Sequence, residues 1–297
     1  MRPVERVGVV GCGTVGAGFA EVCARAGLDV LIQVTSPESA ERGSRRIARS
    51  LDRLVRKGTL TEESRDAVTG RVEFCTDLKR LSDRDFVLEA AVERLAVKQE
   101  IFRGLDQIVE DPAAVLASTT SSLPIMKLAG VTDDPGRVLG THLFHPVPVM
   151  KLVELIGSLR TDPAALARTH AFFTDTLGKQ VINAKDQPGF VVNALLIPYL
   201  LAAVRMLETG TASATEIDQS MKLGCGHPMG PLELADLIGL DVVAAVGEGL
   251  YEESREPSHA PPGLLSRMIE AGFLGRKTGR GFHSYSSSPS PARVMSV

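Results

Sequence analysis

The opening stretch of this chain constrains its fold more than any other part of it. Arg6–Val10 is a short β-branched run that breaks into Gly11-Cys12-Gly13-Thr14-Val15-Gly16. Residues 17–26 then read as a helix with small residues along one face, stopped at Gly27, and residues 29–34 as a second strand. A strand, glycine-rich turn, helix and strand in so short a span give the GxGxxG pattern the context of a dinucleotide site. The first glycine permits a tight turn, the second lets the backbone approach a pyrophosphate, and the third lets helix and strand pack closely. The helix then turns its unpaired N–H groups and positive dipole end toward the phosphates. Gly11, Gly13, Thr14, Val15 and Gly16 are therefore the expected cofactor-binding residues.

The alternation continues beyond this unit. Strand-like runs recur at 72–75, 86–90, 114–117 and 138–143, with helical patterns at 38–58, from 61 onward, at 95–108 and at 124–129. This predicts an α/β fold: a Rossmann-type doubly wound, mostly parallel sheet with helices on both faces. From Pro188 the pattern becomes helical (189–210, 214–223, 231–249, 262–271) and no strand pattern recurs. The expected division is a dinucleotide-binding Rossmann domain over 1–187, an all-helical C-terminal domain over 188–285, and a Ser/Pro-rich disordered tail over 286–297.

Composition excludes several partners. With 33 Lys+Arg against 36 Asp+Glu, the 297-residue chain lacks the basic excess of a nucleic-acid or anionic-membrane binder. The most apolar run, 190–204, is interrupted by Asn193 and Pro198 and is shorter than a membrane span, so it reads as a buried helix. The charged, glycine-rich N-terminus is unlike a signal peptide. Cys12, Cys23, Cys75 and Cys225 are scattered, with no spacing that suggests a metal. They read as small buried hydrophobes in a reducing compartment, and the chain as a cytoplasmic protein. With no Trp, 3 Tyr and 10 Phe, the core is expected to be aliphatic.

The next chemistry-bearing cluster is Thr141-His142-Leu143-Phe144-His145-Pro146, which ends a strand and runs on to Glu154. The carboxyl end of a strand in an open α/β sheet is where ligands bind. An imidazole there can take the hydroxyl proton of an alcohol while its hydride leaves for a nicotinamide, with Glu154 fixing the tautomer and stabilising the imidazolium. A hydrogen-bonded structural histidine and a surface carboxylate carry the same local signature.

Several motifs follow one another in order: Gly11-Cys-Gly13-Thr-Val-Gly16-Ala-Gly18, Glu89-Ala-Ala-Val-Glu93, Ser118-Thr-Thr-Ser121-Ser122 and His142-x-x-x-Pro146-x-Pro148-x-Met150-Lys-Leu-Val-Glu154. Pro188-Gly-Phe-Val-Val-Asn193, His227-Pro-Met-Gly-Pro231, Asp236-Leu-Ile-Gly-Leu-Asp241 and Gly275-Arg-Lys277-Thr-Gly-Arg-Gly-Phe282 continue them. On these motifs the chain, from Val7 to Tyr285, resembles the L-3-hydroxyacyl-CoA dehydrogenases, in particular bacterial 3-hydroxybutyryl-CoA dehydrogenases.

The resemblance implies His142 as catalytic base, Glu154 as its partner, and Ser121 and Asn193 around the substrate hydroxyl and thioester carbonyl. It implies Arg53 and Lys57, one helical turn apart, against CoA phosphates, where a solvated helix face is the alternative. Glu93, Lys98 and Lys277 are implied near the cofactor or a closing cleft, and a homodimer through the C-terminal domain. The cofactor implied is NAD and the substrate a short-chain 3-hydroxyacyl thioester.

Departures from the family pattern leave points open. Val34 stands where an acidic residue normally bonds the adenine ribose, so NADP is open beside NAD, with Arg42, Arg45 and Arg46 following. Asparagines of the pattern are replaced by Thr119, beside the cofactor, by His145, beside the substrate, and by Gly226. The same chemistry on an acyl-carrier-protein thioester or a free hydroxy acid stays open, as does a non-enzymatic cofactor-binding role.

Overall fold

The computed structural model describes residues 3–285. The chain divides into two compact units, Met1–Gln187 and Pro188–Val297. The stretch 286–297, read from sequence as a disordered tail, lies outside the described residues.

The first unit is laid down as β1 (Arg6–Val10), α1 (Thr14–Arg25), β2 (Asp29–Gln33), α2 (Pro37–Arg56), α3 (Glu62–Thr69), β3 (Val72–Cys75) and β4 (Phe86–Glu89). It continues through α4 (Leu95–Ile108), β5 (Val115–Ser118), α5 (Ile125–Ala129), β6 (Val138–Leu143), β7 (Leu152–Gly157), α6 (Pro163–Ala171) and β8 (Gln180–Lys185). The eight strands form one sheet in the order β3-β2-β1-β4-β5-β6-β7-β8. Every pairing is parallel except β6 with β7. The chain runs outward from β1 through β2 to β3 and returns to lay β4 on the other side of β1. The loops leaving β1 and β4 therefore diverge, which opens a ligand crevice at their carboxyl ends.

The sequence pattern missed α6, β7 and β8. β8 is a partly exposed edge strand with polar Gln180, Asn183 and Lys185, so its apolar alternation is weak. β7 follows directly on a proline-containing segment that reads as a loop. The expected aliphatic core also needs correction. Although aromatics are sparse, Phe19, Phe86, Phe172 and Phe173 cluster with ring centroids 4.9–6.5 Å apart beneath the sheet. They pack among Val7, Val9, Val30, Ile32, Leu88 and Val115, all fully buried.

The second unit comprises α7 (Val192–Glu208), α8 (Ala214–Cys225), α9 (Pro231–Ile238), α10 (Leu240–Ser254) and α11 (Gly263–Glu270). The pattern over 231–249 reads as a single helix, but Gly239 at φ +107° breaks it into α9 and α10. Its core is aliphatic: Ile197, Leu200, Leu201, Val204, Leu232, Val243, Leu250 and Leu265. The α7 helix is not buried all round as expected. Leu195 is 72% exposed, and Ala202 and Met206 continue the same exposed stripe. Cys225 is likewise exposed, unlike buried Cys23 and Cys75, and all four thiols are free. Among the described residues, no helix is long and apolar enough to cross a membrane and no cluster of ligands suits a metal ion.

Candidate active site

The glycine-rich turn has the backbone its sequence asks for. Gly11 sits at φ +95°, and a Cβ there would lie 2.8 Å from the Ala90 carbonyl oxygen at the end of β4. A Cβ on Gly16 would collide with the Gly11 carbonyl oxygen, whereas one on Gly13 would meet nothing. Gly13 is the extended N-cap of α1, and neither a capping side chain nor an acidic residue occupies the first turn. The amides of Thr14 and Val15 thus face an uncapped, positively polarised helix end. The buried Thr119 hydroxyl at the end of β5 finds no hydrogen-bond partner among the described residues. These residues fit a dinucleotide: an anion completes the α1 terminus, and an orphaned hydroxyl is left for a polar ligand.

Around the crevice a buried network fixes the loops. Lys98 on α4 is fully buried, and its Nζ lies 2.8 Å from both oxygens of the equally buried Glu89. Glu89 also accepts from the Ala91 amide at 2.7 Å and the Ser118 hydroxyl at 2.7 Å. Lys98 reaches Glu93 at 3.2 Å, and Glu93 in turn accepts from the Ser121 amide at 3.0 Å and from the Thr120 hydroxyl. Lys98, expected near the cofactor or a closing cleft, is turned inward and holds Glu93 and the Thr120–Ser121 turn from below. Glu89, quoted only as part of a motif, is the anchor of that network.

His142 and Glu154 lie directly opposite each other on antiparallel β6 and β7, so their side chains share one face of the sheet. His142 Nδ1 and Glu154 Oε2 are 2.5 Å apart, with the imidazole 5% exposed and the carboxylate fully buried. The ring of Phe144 packs edge-on against His142 at a centroid distance of 4.6 Å. Val10, Glu89, Ser118 and Gly140 occupy the same face by register. With Nδ1 engaged by the carboxylate, proton exchange falls to Nε2.

The remaining predicted residues divide into groups. Arg53 and His145 line one recess, whereas Lys57 is the C-cap of α2. Val34 is buried at the end of β2, and Ser36 caps α2 by accepting from the Ser39 amide at 3.3 Å. Arg42 donates to the Ser39 hydroxyl at 2.7 Å. Asn193 and Lys277 belong to the helical unit. Asn193 is in the first turn of α7, and Lys277 is paired with Asp241 at 2.5 Å. Gly226, at φ +68°, closes α8 in the left-handed conformation, so its departure from asparagine suits a helix cap.

Two side chains make contacts that had no sequence signal. Arg46 donates to the Cys12 carbonyl at 2.9 Å and ties α2 to the glycine-rich turn. Lys179 donates to the carbonyls of Val147 and Met150 at 2.6 and 2.7 Å, clamping the segment after His145. Burial pushes the Cys12 thiol up to about 11, so it is protonated at neutral pH. Burial and the nearby Arg46 lower the His145 imidazole, favouring its neutral form.

An uncapped helix end at a sheet switch point, with a histidine–carboxylate pair on the same sheet, is an arrangement that suits an NAD-dependent dehydrogenase. Residues 6–187 match the 3-hydroxyacyl-CoA dehydrogenase NAD-binding domain and residues 189–285 the C-terminal domain of the same enzymes. The 3-hydroxybutyryl-CoA dehydrogenase of Mycobacterium tuberculosis is 54% identical over 282 residues, covering 95% of this chain and 99% of that one. The crystal structure of M. tuberculosis FadB2 superposes with a TM-score of 0.94 at 53% identity, covering 96% of this chain and 100% of that one. That of the (S)-3-hydroxybutyryl-CoA dehydrogenase PaaH1 from Ralstonia eutropha gives 0.91 at 45% identity, with coverage of 96% and 100%. The chain belongs to the 3-hydroxyacyl-CoA dehydrogenase family.

Proposed function

We propose that this protein interconverts (S)-3-hydroxybutyryl-CoA and acetoacetyl-CoA, and that His142 is its acid–base group. The 2.5 Å contact between His142 Nδ1 and Glu154 carries this reading. A nicotinamide dinucleotide, when bound, supplies the hydride acceptor for oxidation and the donor for reduction. His142 Nε2 removes the hydroxyl proton as the C3 hydrogen departs, and returns it in the reverse direction. Glu154 keeps the ring in register and stabilises its cationic form. Ser121, on a turn held by Glu93, and Asn193 orient the hydroxyl and thioester carbonyl. The glycine-rich turn, Thr14, Val15, Glu93 and Thr119 bind the dinucleotide, with Lys98 as a positioning residue and Lys277 on the helical side. Arg53, Lys57 and His145 meet the CoA moiety.

Buried Val34 in place of a carboxylate leaves a ribose 2′-phosphate unopposed by negative charge, so NADP(H) is accepted as well as NAD(H). The enzyme works as a cytoplasmic homodimer assembled through residues 188–285. The exposed Leu195–Ala202–Met206 stripe and Leu223, 85% exposed, supply apolar surface for that contact.

Acetoacetyl-CoA reduction, followed separately with NADH and NADPH, tests the assignment. Turnover with both cofactors is expected. No turnover with either, while NADH still binds, overturns the substrate, and turnover with NADH alone overturns the cofactor breadth. Sedimentation at micromolar concentration that returns a monomer overturns the dimer.

A further inference from the structure

Glu89 ends β4 and pairs in register with Ser118, which ends β5, and both side chains are fully buried. We propose that Glu89 is a positioning residue for the reaction, holding Ser121 and Glu93 in place through a closed ring of hydrogen bonds; this rests on the roles given above to those two residues.

The ring closes through five side chains. The Ser118 hydroxyl donates to Glu89 Oε2 at 2.7 Å and accepts from the Thr120 amide at 3.3 Å. The Thr120 hydroxyl donates to Glu93 Oε1, and Glu93 Oε2 lies 3.2 Å from Lys98 Nζ. Lys98 returns to Glu89 with 2.8 Å bonds to both carboxylate oxygens. The Ser121 amide hangs on the ring by its 3.0 Å bond to Glu93, and the Ala91 amide by its 2.7 Å bond to Glu89. The loops leaving β4 and β5 are thereby tied to the first turn of α4, at the end of the sheet where the crevice opens.

Stability alone does not account for this arrangement. A fully buried ion pair gives up its hydration, and an apolar pair of similar volume is often as stable or more so. What the charges add is geometry. Glu89 fixes the Lys98 ammonium between two carboxylates, which leaves Glu93 Oε1 free to accept from Thr120 and Ser121. An amide in place of the Glu89 carboxylate turns N–H donors toward Lys98 or the Ala91 amide, and removes the charge. The ammonium then turns to Glu93 and draws it off the Thr120–Ser121 turn. A small displacement of a group that orients the substrate hydroxyl is expensive in rate.

The test follows acetoacetyl-CoA reduction and NADH affinity for wild type, Glu89→Gln, Ser118→Ala and the double variant Glu89→Gln/Lys98→Met. Hydrogen exchange over residues 118–123 is measured in parallel on the cofactor-free protein. Glu89→Gln should lower kcat about tenfold while KM for acetoacetyl-CoA stays within about threefold. NADH affinity should fall about threefold as Glu93 moves. Exchange over 118–123 should quicken about tenfold while that of β1 is unchanged. Ser118→Ala, which opens the ring but keeps the ion pair, should lower kcat about threefold. The double variant removes both buried charges, so it should regain any stability lost in Glu89→Gln without regaining kcat.

A folded Glu89→Gln protein with wild-type kcat overturns the proposal. A double variant that regains kcat together with stability does so too, because the ring would then serve the fold alone. A loss of kcat with unchanged exchange over 118–123 has the same consequence. Should Glu89→Gln not fold, Ser118→Ala decides, and wild-type kcat and exchange there overturn the proposal. A wild type that binds NADH but does not reduce acetoacetyl-CoA breaks the substrate assignment instead. Exchange and NADH affinity then judge the ring by themselves, and unchanged values in Glu89→Gln overturn it.

Discussion

Each unit of this molecule holds one buried carboxylate against a histidine at nearly the same distance. His142 Nδ1 meets Glu154 at 2.5 Å in the sheet unit, and His283 Nε2 meets Asp218 at 2.6 Å in the helical unit. Their surroundings differ. Asp218 also accepts from the Leu232 amide at 2.8 Å and the Glu233 amide at 3.1 Å, so it caps the start of α9. The backbone of His283 donates to Asp236 at 2.9 Å, and Asp236 also takes the Phe282 amide and the Tyr285 hydroxyl. That pair is a knot that fastens the last described segment to α8 and α9. The other pair spans two adjacent strands, on the sheet face that carries Glu89 and Ser118. The same two residue types therefore serve as a fastening in one place and, on the function proposed above, as proton machinery in the other. Position on the fold decides between them, since bond length does not.

Substitution tests this contrast, beginning with the largest effect. His142→Ala should lower kcat for acetoacetyl-CoA reduction by about 10²–10⁴-fold while NADH affinity stays within about twofold. Full turnover in that variant would break the assignment of roles. Glu154→Gln, which keeps the shape and removes the charge, should cost about 10–100-fold in kcat with little change in KM.

In the helical unit the expected losses move from rate to stability. Asp218→Ala leaves two α9 amides and His283 without their acceptor, and should cost about 2–4 kcal/mol in a denaturant titration. Its kcat, assayed well below the melting temperature, should stay within about twofold. If Asp218→Ala instead lost turnover while remaining fully folded, the contrast between fastening and machinery would fail.

Glu21, another buried carboxylate, sharpens the point with the smallest effect. Its carboxyl is raised by burial above 4.5, so the folded state holds the proton more tightly than the unfolded one. Stability therefore declines as pH rises from below 4.5 through the raised value. Glu21→Gln removes that decline, so its melting temperature should gain on wild type between pH 4 and pH 8. A constant gap across that range would show the carboxyl to be unperturbed.

Much of this was legible without coordinates. The GxGxxG turn announced its own backbone, because only glycine tolerates φ +95° at Gly11 or the approach of the Gly11 carbonyl at Gly16. The strand–helix alternation up to Leu143 likewise predicted a sheet of parallel neighbours, since fully buried strands read as unbroken apolar runs. The pairing of His142 with Glu154 was less visible. The sequence reading missed β7, and only its antiparallel register with β6 puts residues twelve apart face to face.

Lys98 shows the same limit from the other side. Its place in the chain suggested a position near the cofactor or a closing cleft, and only α4 packing showed it turned inward onto Glu89. Nothing near Lys179 in the sequence marked it as the clamp of the segment after His145, because both acceptors are backbone carbonyls supplied by distant residues.

The sequence by itself determined the features that depend on local backbone geometry and periodic burial: the phosphate-binding turn, the α/β alternation, and the change to helices after Pro188. Tertiary structure decided the geometry in which polar side chains meet, and for Glu89, Lys98 and Lys179 also their partners. That pairing depends on strand register and helix packing between residues far apart in the chain, and no local propensity encodes it. It is why one histidine–carboxylate pair holds a helix in place while the other spans two strands, where the proposed function needs a proton carrier.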